Sequence, residues 1–467
     1  MTLIFRRRKK HNLKAKKASG YDDISNRLLK NIPEIALLSL VDIFNACLKI
    51  GYFPDEWKIG KIIPIPKPGK DHSLAGSFRP ITLLPVIGKV FEKVILSRLL
   101  EFELEKPVLI NQQFGFRAKH STTQQVLRIA ETVSLRFNEN KSTAMTLLDI
   151  EKAFDSVWHN ALVHKLKSYG FPMHLIKIVV SFLRNRVSFV VINKGKSFRF
   201  VIPAGVPQGS PLSPYLFNIF INDIPVPRQC KVAIYADDTA LISSIAKYEL
   251  PELVKRMESG LTEIESHFSS WKIKLNAAKT ESILFTKSQI MRDKMDSNKV
   301  KINNTELEWK SAVKYLGVLL DSKLLFKANI ENNVAKARKA VGILYCLLKK
   351  NSSVSTHSKI TLYRSYIRPI LTYACPVFAN SAKTHLQKLQ VSQNKCLRMV
   401  LSARYRTRIS TLHKRTNIPP MKEFIAKLTE NFYKQSGRSD NKLVKRLGEY
   451  SSRSSLSKKK HKLPRPS

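Results

Sequence analysis

The sequence predicts an α+β fold, with a sheet as the floor of its middle third and a helical region after it. Two patterns carry that reading. From about Thr143 to Leu284, short β-prone runs such as TAMTLL and KVAIY alternate with stretches of helical spacing. Beyond about Asp321 the spacing turns helical: Ile330, Val334, Val341, Leu344, Tyr345 and Leu348 form one stripe, and Ser365 to Val377 and Leu386 to Leu401 supply others. At 467 residues, 43% of them hydrophobic, the chain can bury a sizeable core in two or three compact units.

The elements follow in order. The first twenty residues hold Arg6, Arg7, Arg8, Lys9, Lys10, Lys14, Lys16 and Lys17 with no acid among them, and such a run is expected to be a disordered basic arm. Helical spacing then runs from Ile24 to Cys47. Pro64, Pro66 and Pro68 impose an extended crossing. A second helix is expected from about Ile87 to Leu104, with Val90, Val94, Ile95, Leu99 and Phe102 on one face. The far end, SSRSSLSKKKHKLPRPS, is expected to be disordered like the beginning. Each basic end reads either as a nuclear-import signal or as a solvated charge run.

Charge narrows the partners. Lys and Arg number 81 against 35 Asp and Glu, a net +46, and the cations are spread along the chain. That distribution suits a long phosphate-lined channel, so nucleic acid is the expected partner. No apolar run approaches 18 residues, which argues against a membrane partner. Five scattered cysteines without a Cys-x-x-Cys spacing read as reduced core residues, and no secretory signal opens the sequence; an intracellular protein is expected.

Three segments carry candidate chemistry. Thr143 to Leu148 is a β-prone run that ends at Asp149, with a helix expected near Ser156. KVAIYADDTALIS reads as a hairpin with Asp237 and Asp238 at its tip. Taken singly, each Asp is more simply a turn residue. If the two segments are neighbouring strands, however, three carboxylates converge and a hard divalent cation is the natural compensation, Mg²⁺ suiting all-oxygen ligands. The third segment, FVIPAGVPQGSPLSPYLFNIFIND, is a Gly- and Pro-rich loop feeding an apolar helix from about Ser213 to Ile221. Gly205 and Gly209 would let a base pair or sugar approach the backbone, with Gln208 as a hydrogen-bonding group; a plain surface loop before a buried helix is the other reading.

In this order the three segments resemble the palm motifs of reverse transcriptases, those of non-LTR (LINE-type) retrotransposons of the jockey group. The likeness extends to SFRPITLLPVIGKVFEKVILSRL, NQQFGFRAKHSTTQQVLRI, WKIKLNAAKTESILF, VKYLGVLLD and RPILTYACPVF, and covers roughly residues 20 to 410. An intron-type or telomerase-like enzyme would share palm and fingers, but RPILTYACPVF argues for the retrotransposon group. The resemblance implies a right-hand polymerase: an N-terminal extension and fingers over 21–142, a palm with an antiparallel sheet over 143–320, a helical thumb over 321–410 and a basic extension over 411–467.

It also implies roles. Asp149 and Asp237 would hold two Mg²⁺ ions, with Mn²⁺ as the substitute and Asp238 as a weaker or indirect ligand. Phe154, five residues after Asp149, matches the gate that excludes a 2′-hydroxyl; a core aromatic is the other reading. Gln208 and Gly209 would lie along the nucleotide or template. Arg79, Arg117 and Lys119 would bind template phosphates or the incoming triphosphate, or else are solvated charges. Lys279 matches a lysine that protonates the leaving pyrophosphate, with a structural ion pair as the alternative. Tyr315, Leu316 and Gly317 resemble the hairpin that grips the primer.

The implied reaction is RNA-directed DNA synthesis from dNTPs on an RNA template and a DNA primer, within target-primed reverse transcription. The location implied is nucleus and cytoplasm, as a ribonucleoprotein. Some departures stand out. Ser19-Gly20-Tyr21-Asp22-Asp23 replaces the family's Pro-Gly-x-Asp-Gly, and no endonuclease domain, zinc-knuckle cysteine pattern or ribonuclease H segment is expected in this chain. They motivate an alternative: a truncated, non-catalytic relic that binds RNA or DNA by charge alone.

Overall fold

In the computed structural model, residues 14–246 and 249–449 are described. In chain order, helix α1 (Glu34–Ile50) precedes strands β1 (Gly60–Pro66) and β2 (Phe78–Leu83). Helices α2 (Val86–Glu105) and α3 (Thr122–Asn138) lead into strand β3 (Ser142–Leu148). After α4 (His159–Ser168) and α5 (Met173–Leu183) come β4 (Val187–Ile192), the short β5 (Gly195–Lys196) and β6 (Phe200–Val201), and helix α6 (Ser213–Phe220). Strands β7 (Cys230–Tyr235) and β8 (Asp238–Ile245), helix α7 (Leu250–Ser270) and strand β9 (Glu281–Phe285) follow. Two small ladders, β10 (Val300–Ile302) with β11 (Thr305–Leu307) and β12 (Ala312–Tyr315) with β13 (Val318–Asp321), precede helices α8 (Lys327–Ile343), α9 (Thr356–Leu362), α10 (Lys383–Val400), α11 (Ile409–Thr416) and α12 (Met421–Ser436). The fold is α+β, as the sequence predicts.

Several boundaries depart from expectation for identifiable reasons. The helical spacing from Ile24 to Cys47 is split at Ile32, which is extended (φ −60°, ψ 135°) because Pro33 disfavours helical backbone before it. The helix expected near Ser156 starts at His159, after a run of turns. Of the basic arm expected over 1–20, residues 1–13 lie outside the described residues; the rest is tethered, with Asn26 Nδ2 donating to the Lys14 carbonyl at 2.8 Å. Within 411–467, described residues form α12 and most of α11, whereas the expected disordered tail from residue 450 lies outside them.

The chain divides into two compact units. The described residues of the first are 14–116, 150–225 and 265–275. Its mixed sheet has the order β2-β1-β4-β5, with β6 also on β4; β1 runs antiparallel to β2 (Ile63 opposite Ile81) and parallel to β4 (Lys61 opposite Phe189). The prolines expected to enforce an extended crossing thus sit in or just beyond β1. The core is aromatic: Phe91 stacks on Phe44 at 4.8 Å and lies 5.4 Å from Phe53, which meets Phe182 edge-on at 5.2 Å. On α2, Val90, Val94, Ile95 and Leu99 are buried as the stripe predicts, and Phe102 packs on Phe171 at 4.5 Å.

The described residues of the second unit are 117–149, 226–246, 249–264 and 276–449. Its antiparallel sheet has the order β7-β8-β3-β9, so β3 is paired on both edges. Helix α3 opens with a capping box, the Ser121 side chain accepting from Gln124 N and the Gln124 side chain accepting from Ser121 N, and it packs on β3 and β7. In the helical part, the expected α8 stripe is only partly core. Ile330 and Leu348 are buried, but Tyr345 is 53% exposed, and Ala337 and Ala340 pack inward instead. Four of the five cysteines are buried as expected; Cys346 is exposed.

Candidate active site

In the second unit, strand pairing sets the positions of the acidic residues. The β3–β8 register pairs Leu148 with Thr239, and continuing it by one residue places Asp149 opposite Asp238. The β7–β8 register closes on Tyr235 and Asp238, leaving Ala236-Asp237 as a two-residue hairpin loop. Ala236 takes φ +59°, the left-handed backbone that primed hairpin turns require at this position and that glycine usually supplies. For alanine that conformation costs about 1–2 kcal/mol, so the surroundings must hold it.

They do so from helix α3. Gln125 Nε2 donates to the Ile234 carbonyl at 2.8 Å, and Arg128 Nη2 donates to the Val232 carbonyl at 2.8 Å while its Nε donates to Gln125 Oε1 at 3.0 Å. These side chains fasten β7 to the helix two residues before the turn. Burial lowers the Arg128 guanidinium to about 10. Sequence reasoning passed over both residues, since a polar side chain within an amphipathic helix carries no mark of burial.

The three carboxylates share one electrostatic field. Burial raises Asp237, and the Asp149 charge adds to it. Asp238 is pushed up to about 6, first by burial and then by Asp237 and Asp149. Lys279, in the turn before β9, places Nζ 3.3 Å from Asp149 Oδ2; both side chains are open to solvent, at 62% and 40% exposure. The ion pair weighed for Lys279 is therefore present. The Asp149 carbonyl accepts from Asn276 N at 2.8 Å, tying the strand end to the same turn.

An all-carboxylate donor set in which Asp237 and Asp238 have raised proton affinity suits a hard divalent cation, which would offset the repulsion. The convergence expected from the sequence is incomplete, however. Among the described residues no three His, Cys, Asp or Glu side chains stand close enough to hold a metal ion. Asp149 is engaged by Lys279, and like charges on Asp237 and Asp238 oppose closer approach.

Near the start of the helical part, β12 and β13 pair Tyr315 with Val318, leaving Leu316-Gly317 as the loop, both with positive φ (45° and 84°). Tyr373 Oη donates to the Leu316 carbonyl at 2.8 Å and lies 3.1 Å from Thr122 Oγ1. Tyr315 is buried. Tyr373, in the RPILTYACPVF segment, was not singled out from sequence. Of the remaining candidates in this unit, Arg117 is half-buried, and Lys119 pairs with Asp440 at 3.7 Å on an exposed surface.

The other candidates lie in the first unit. Phe154 is half-buried, stacked on Phe217 (4.8 Å, 15°) and edge-on to Phe116 (5.9 Å). Gln208 Nε2 donates to the Asp155 carboxylate at 3.1 and 3.3 Å, and the Gln208 backbone carbonyl accepts from Thr82 N at 2.8 Å. The clearance expected to admit a ligand serves the chain itself. A Cβ on Gly205 (φ +85°) would stand 2.6 Å from the Asp155 carbonyl oxygen, and one on Gly209 (φ +122°) 2.6 Å from that of Thr82. Arg79 is exposed on β2. In the same loop, Ser210 Oγ donates to buried Glu92, whose carboxyl burial pushes up to about 7.

Residues 65–320 match the family described as "Reverse transcriptase (RNA-dependent DNA polymerase)". The chain is 32% identical, over 93% of its length and 48% of the relative's, to the probable RNA-directed DNA polymerase from transposon BS of Drosophila melanogaster. It is 34% identical, over the same shares, to the RNA-directed DNA polymerase from mobile element jockey of Drosophila melanogaster. It thus spans about half the length of these curated relatives. Among solved structures, telomerase from Candida tropicalis in complex with a TWJ fragment of telomeric RNA aligns at TM-score 0.39, with 13% identity, over 82% of this chain and 68% of that one.

Proposed function

The chain belongs to the reverse transcriptase family, with an α+β polymerase fold, and from that premise we propose that it is an RNA-directed DNA polymerase of a non-LTR retrotransposon, working in target-primed reverse transcription. The observation that carries this reading is the strand register that sets Asp149, just past the end of β3, opposite the Asp237-Asp238 hairpin inside the matched stretch.

Asp149 and Asp237, with Asp238 beside them, would hold two Mg²⁺ ions, or Mn²⁺ in their place; these supply the charge neutralisation that joining a dNTP to a primer 3′-hydroxyl requires. Lys279, ion-paired with Asp149, would give a proton to departing pyrophosphate. Phe154 is proposed as the gate against a 2′-hydroxyl, with Gln208 and Gly209 along the nucleotide or template. Arg79, Arg117 and Lys119 would meet template or triphosphate oxygens, and Tyr315, Leu316 and Gly317 would grip the primer. Residues 21–142 would serve as fingers, 143–320 as palm and 321–410 as thumb. A ribonucleoprotein of nucleus and cytoplasm is the proposed setting.

Primer extension on an RNA template with dNTPs and Mg²⁺ tests the reading. Extension that Asp237→Ala abolishes is the expected result. Salt-sensitive RNA binding that survives Asp237→Ala, with no extension by the parent chain, would instead identify a non-catalytic nucleic-acid binder, because phosphate neutralisation needs only Lys and Arg.

A further inference from the structure

A cavity of about 290 Å³ lies in the helical part of the second unit, outside the stretch that the family match covers. Two helix faces and one loop build it. Phe424, Lys427, Leu428 and Asn431 recur on one face of α12, and Arg364 and Arg368 stand one turn apart on the facing segment. Asn417 and Pro419 close the third side.

No acid lines this cavity. Glu430, on the same helix, is taken up by Lys434, and among the described residues neither Arg368 nor Lys427 has an ion-pair partner. Arg364 is held in place: its Nη2 donates to the carbonyls of Asn417 at 2.7 Å and Thr416 at 3.4 Å, at the end of α11. The Arg368 guanidinium lies 3.9 Å from the centre of the Phe424 ring, which fixes it without neutralising it. Burial lowers the proton affinity of Arg368, and the Arg364 charge acts in the same direction.

The backbone is unusual at this point. Tyr363–Ile367 form a π-helical turn between α9 and the helical turn Arg368–Leu371. Pro369 explains the widening: it has no N–H to offer the Ser365 carbonyl, so the regular ladder cannot close. Such turns recur at functional sites. Here it lies between Leu362 and Arg368 and contains Arg364, so both arginines of the cavity border or belong to it.

Three cations with no acid around a cavity of about 290 Å³ make an anion receptor. We propose that this cavity binds a phosphodiester group of a single nucleic-acid strand, gripped by Arg364, Arg368 and Lys427. The volume sits near the lower end of small-ligand pockets, about 300 Å³, which admits one phosphate with part of its sugar and not a folded partner. Guanidinium pairs suit phosphate because their N–H groups match its oxygens in plane.

The test uses the full chain without nucleotides or divalent cations, so its outcome does not depend on whether the protein extends a primer. Binding of a short labelled oligouridylate is measured over a range of salt. Lys427→Gln should reduce the slope of log affinity against log salt by about 0.7, as loss of one phosphate contact on a single strand requires. Adding Arg368→Gln should reduce it by about the same amount again, while Arg368→Lys, which keeps the charge, should leave most of the slope. Thermal melts of each variant separate lost binding from lost folding. A slope that falls no further than with Lys49→Gln, an exposed lysine remote from the cavity in sequence, overturns the proposal. Saturable binding of uridine monophosphate that Lys427→Gln abolishes, with the strand slope unchanged, would reassign the cavity to free nucleotides and overturn the strand reading.

Discussion

The side-chain amide of Gln125 donates to the carbonyl of Ile234 at 2.8 Å, three residues before Asp237, so helix α3 holds the strand that presents the candidate carboxylates. Gln125 is buried, and its removal would strand that carbonyl without water. Gln125→Ala should therefore cost about 1–3 kcal/mol in denaturant unfolding. A loss below about 0.5 kcal/mol would show that the bond does not anchor the hairpin.

Asp238 gives a pH-dependent prediction. Its carboxyl is raised to about 6, so between the ordinary carboxylate range and that value the native chain keeps a proton which the unfolded chain has released. Stability from this group is present below the window and is lost as pH rises through it. Without divalent cations, Asp238→Asn should raise the melting temperature at about pH 8 and leave it nearly unchanged at about pH 4. An equal shift at both values would contradict the carboxylate coupling.

The Gly205 and Gly209 positions should not tolerate a methyl group. Both have positive φ, and an added Cβ would press on a carbonyl oxygen at 2.6 Å. Gly205→Ala and Gly209→Ala should each cost on the order of 2 kcal/mol. Gly76→Ala, which meets nothing within 4 Å and has an ordinary φ, should be close to neutral. Chemical denaturation of the three variants ranks them, and similar losses for all would refute the steric account.

For Phe154, one substitution separates packing from selectivity. Its ring stacks on Phe217, so Phe154→Val should lower the melting temperature whatever else the residue does. If it also gates the sugar, incorporation of ribonucleotides relative to dNTPs should rise, on the order of 10-fold or more. A lower melting temperature with an unchanged ratio would leave Phe154 a core residue alone.

The elements legible in the sequence are those whose burial follows a period. Val90, Val94, Ile95 and Leu99 repeat at helical spacing, and the extent of α2 follows closely; β3 and the Asp237-Asp238 hairpin stand out because apolar runs stop at acidic residues. The break at Ile32 was available from Pro33 alone, yet the apolar spacing on either side hid it. What could not be read was polar burial. Gln125 and Arg128 look in sequence like solvent-facing residues of α3, and only the neighbouring carbonyls of β7 make them interior. Helix α12 was obscured by its charge, because Met421, Ile425 and Tyr433 face inward from among lysines and glutamates. The clearance at Gly205 and Gly209 depended on which backbone lay opposite, and no local pattern states that.

The pairing of β3 on both edges bears on how the molecule is made. Thr143 bonds to Ser244 across 101 residues and Thr146 to Ser282 across 136, so the strand ending at Asp149 completes its ladders only after distant chain has emerged. Contacts of such long sequence separation close late and slowly. A ribosome that has released β3 alone has therefore made a strand with neither partner, and Asp149 gains its hairpin neighbours before it gains Lys279. The nascent chain carries both edges of β3 open until β8 emerges and one of them open until β9 arrives, and that interval is where mispairing or capture by another chain would occur.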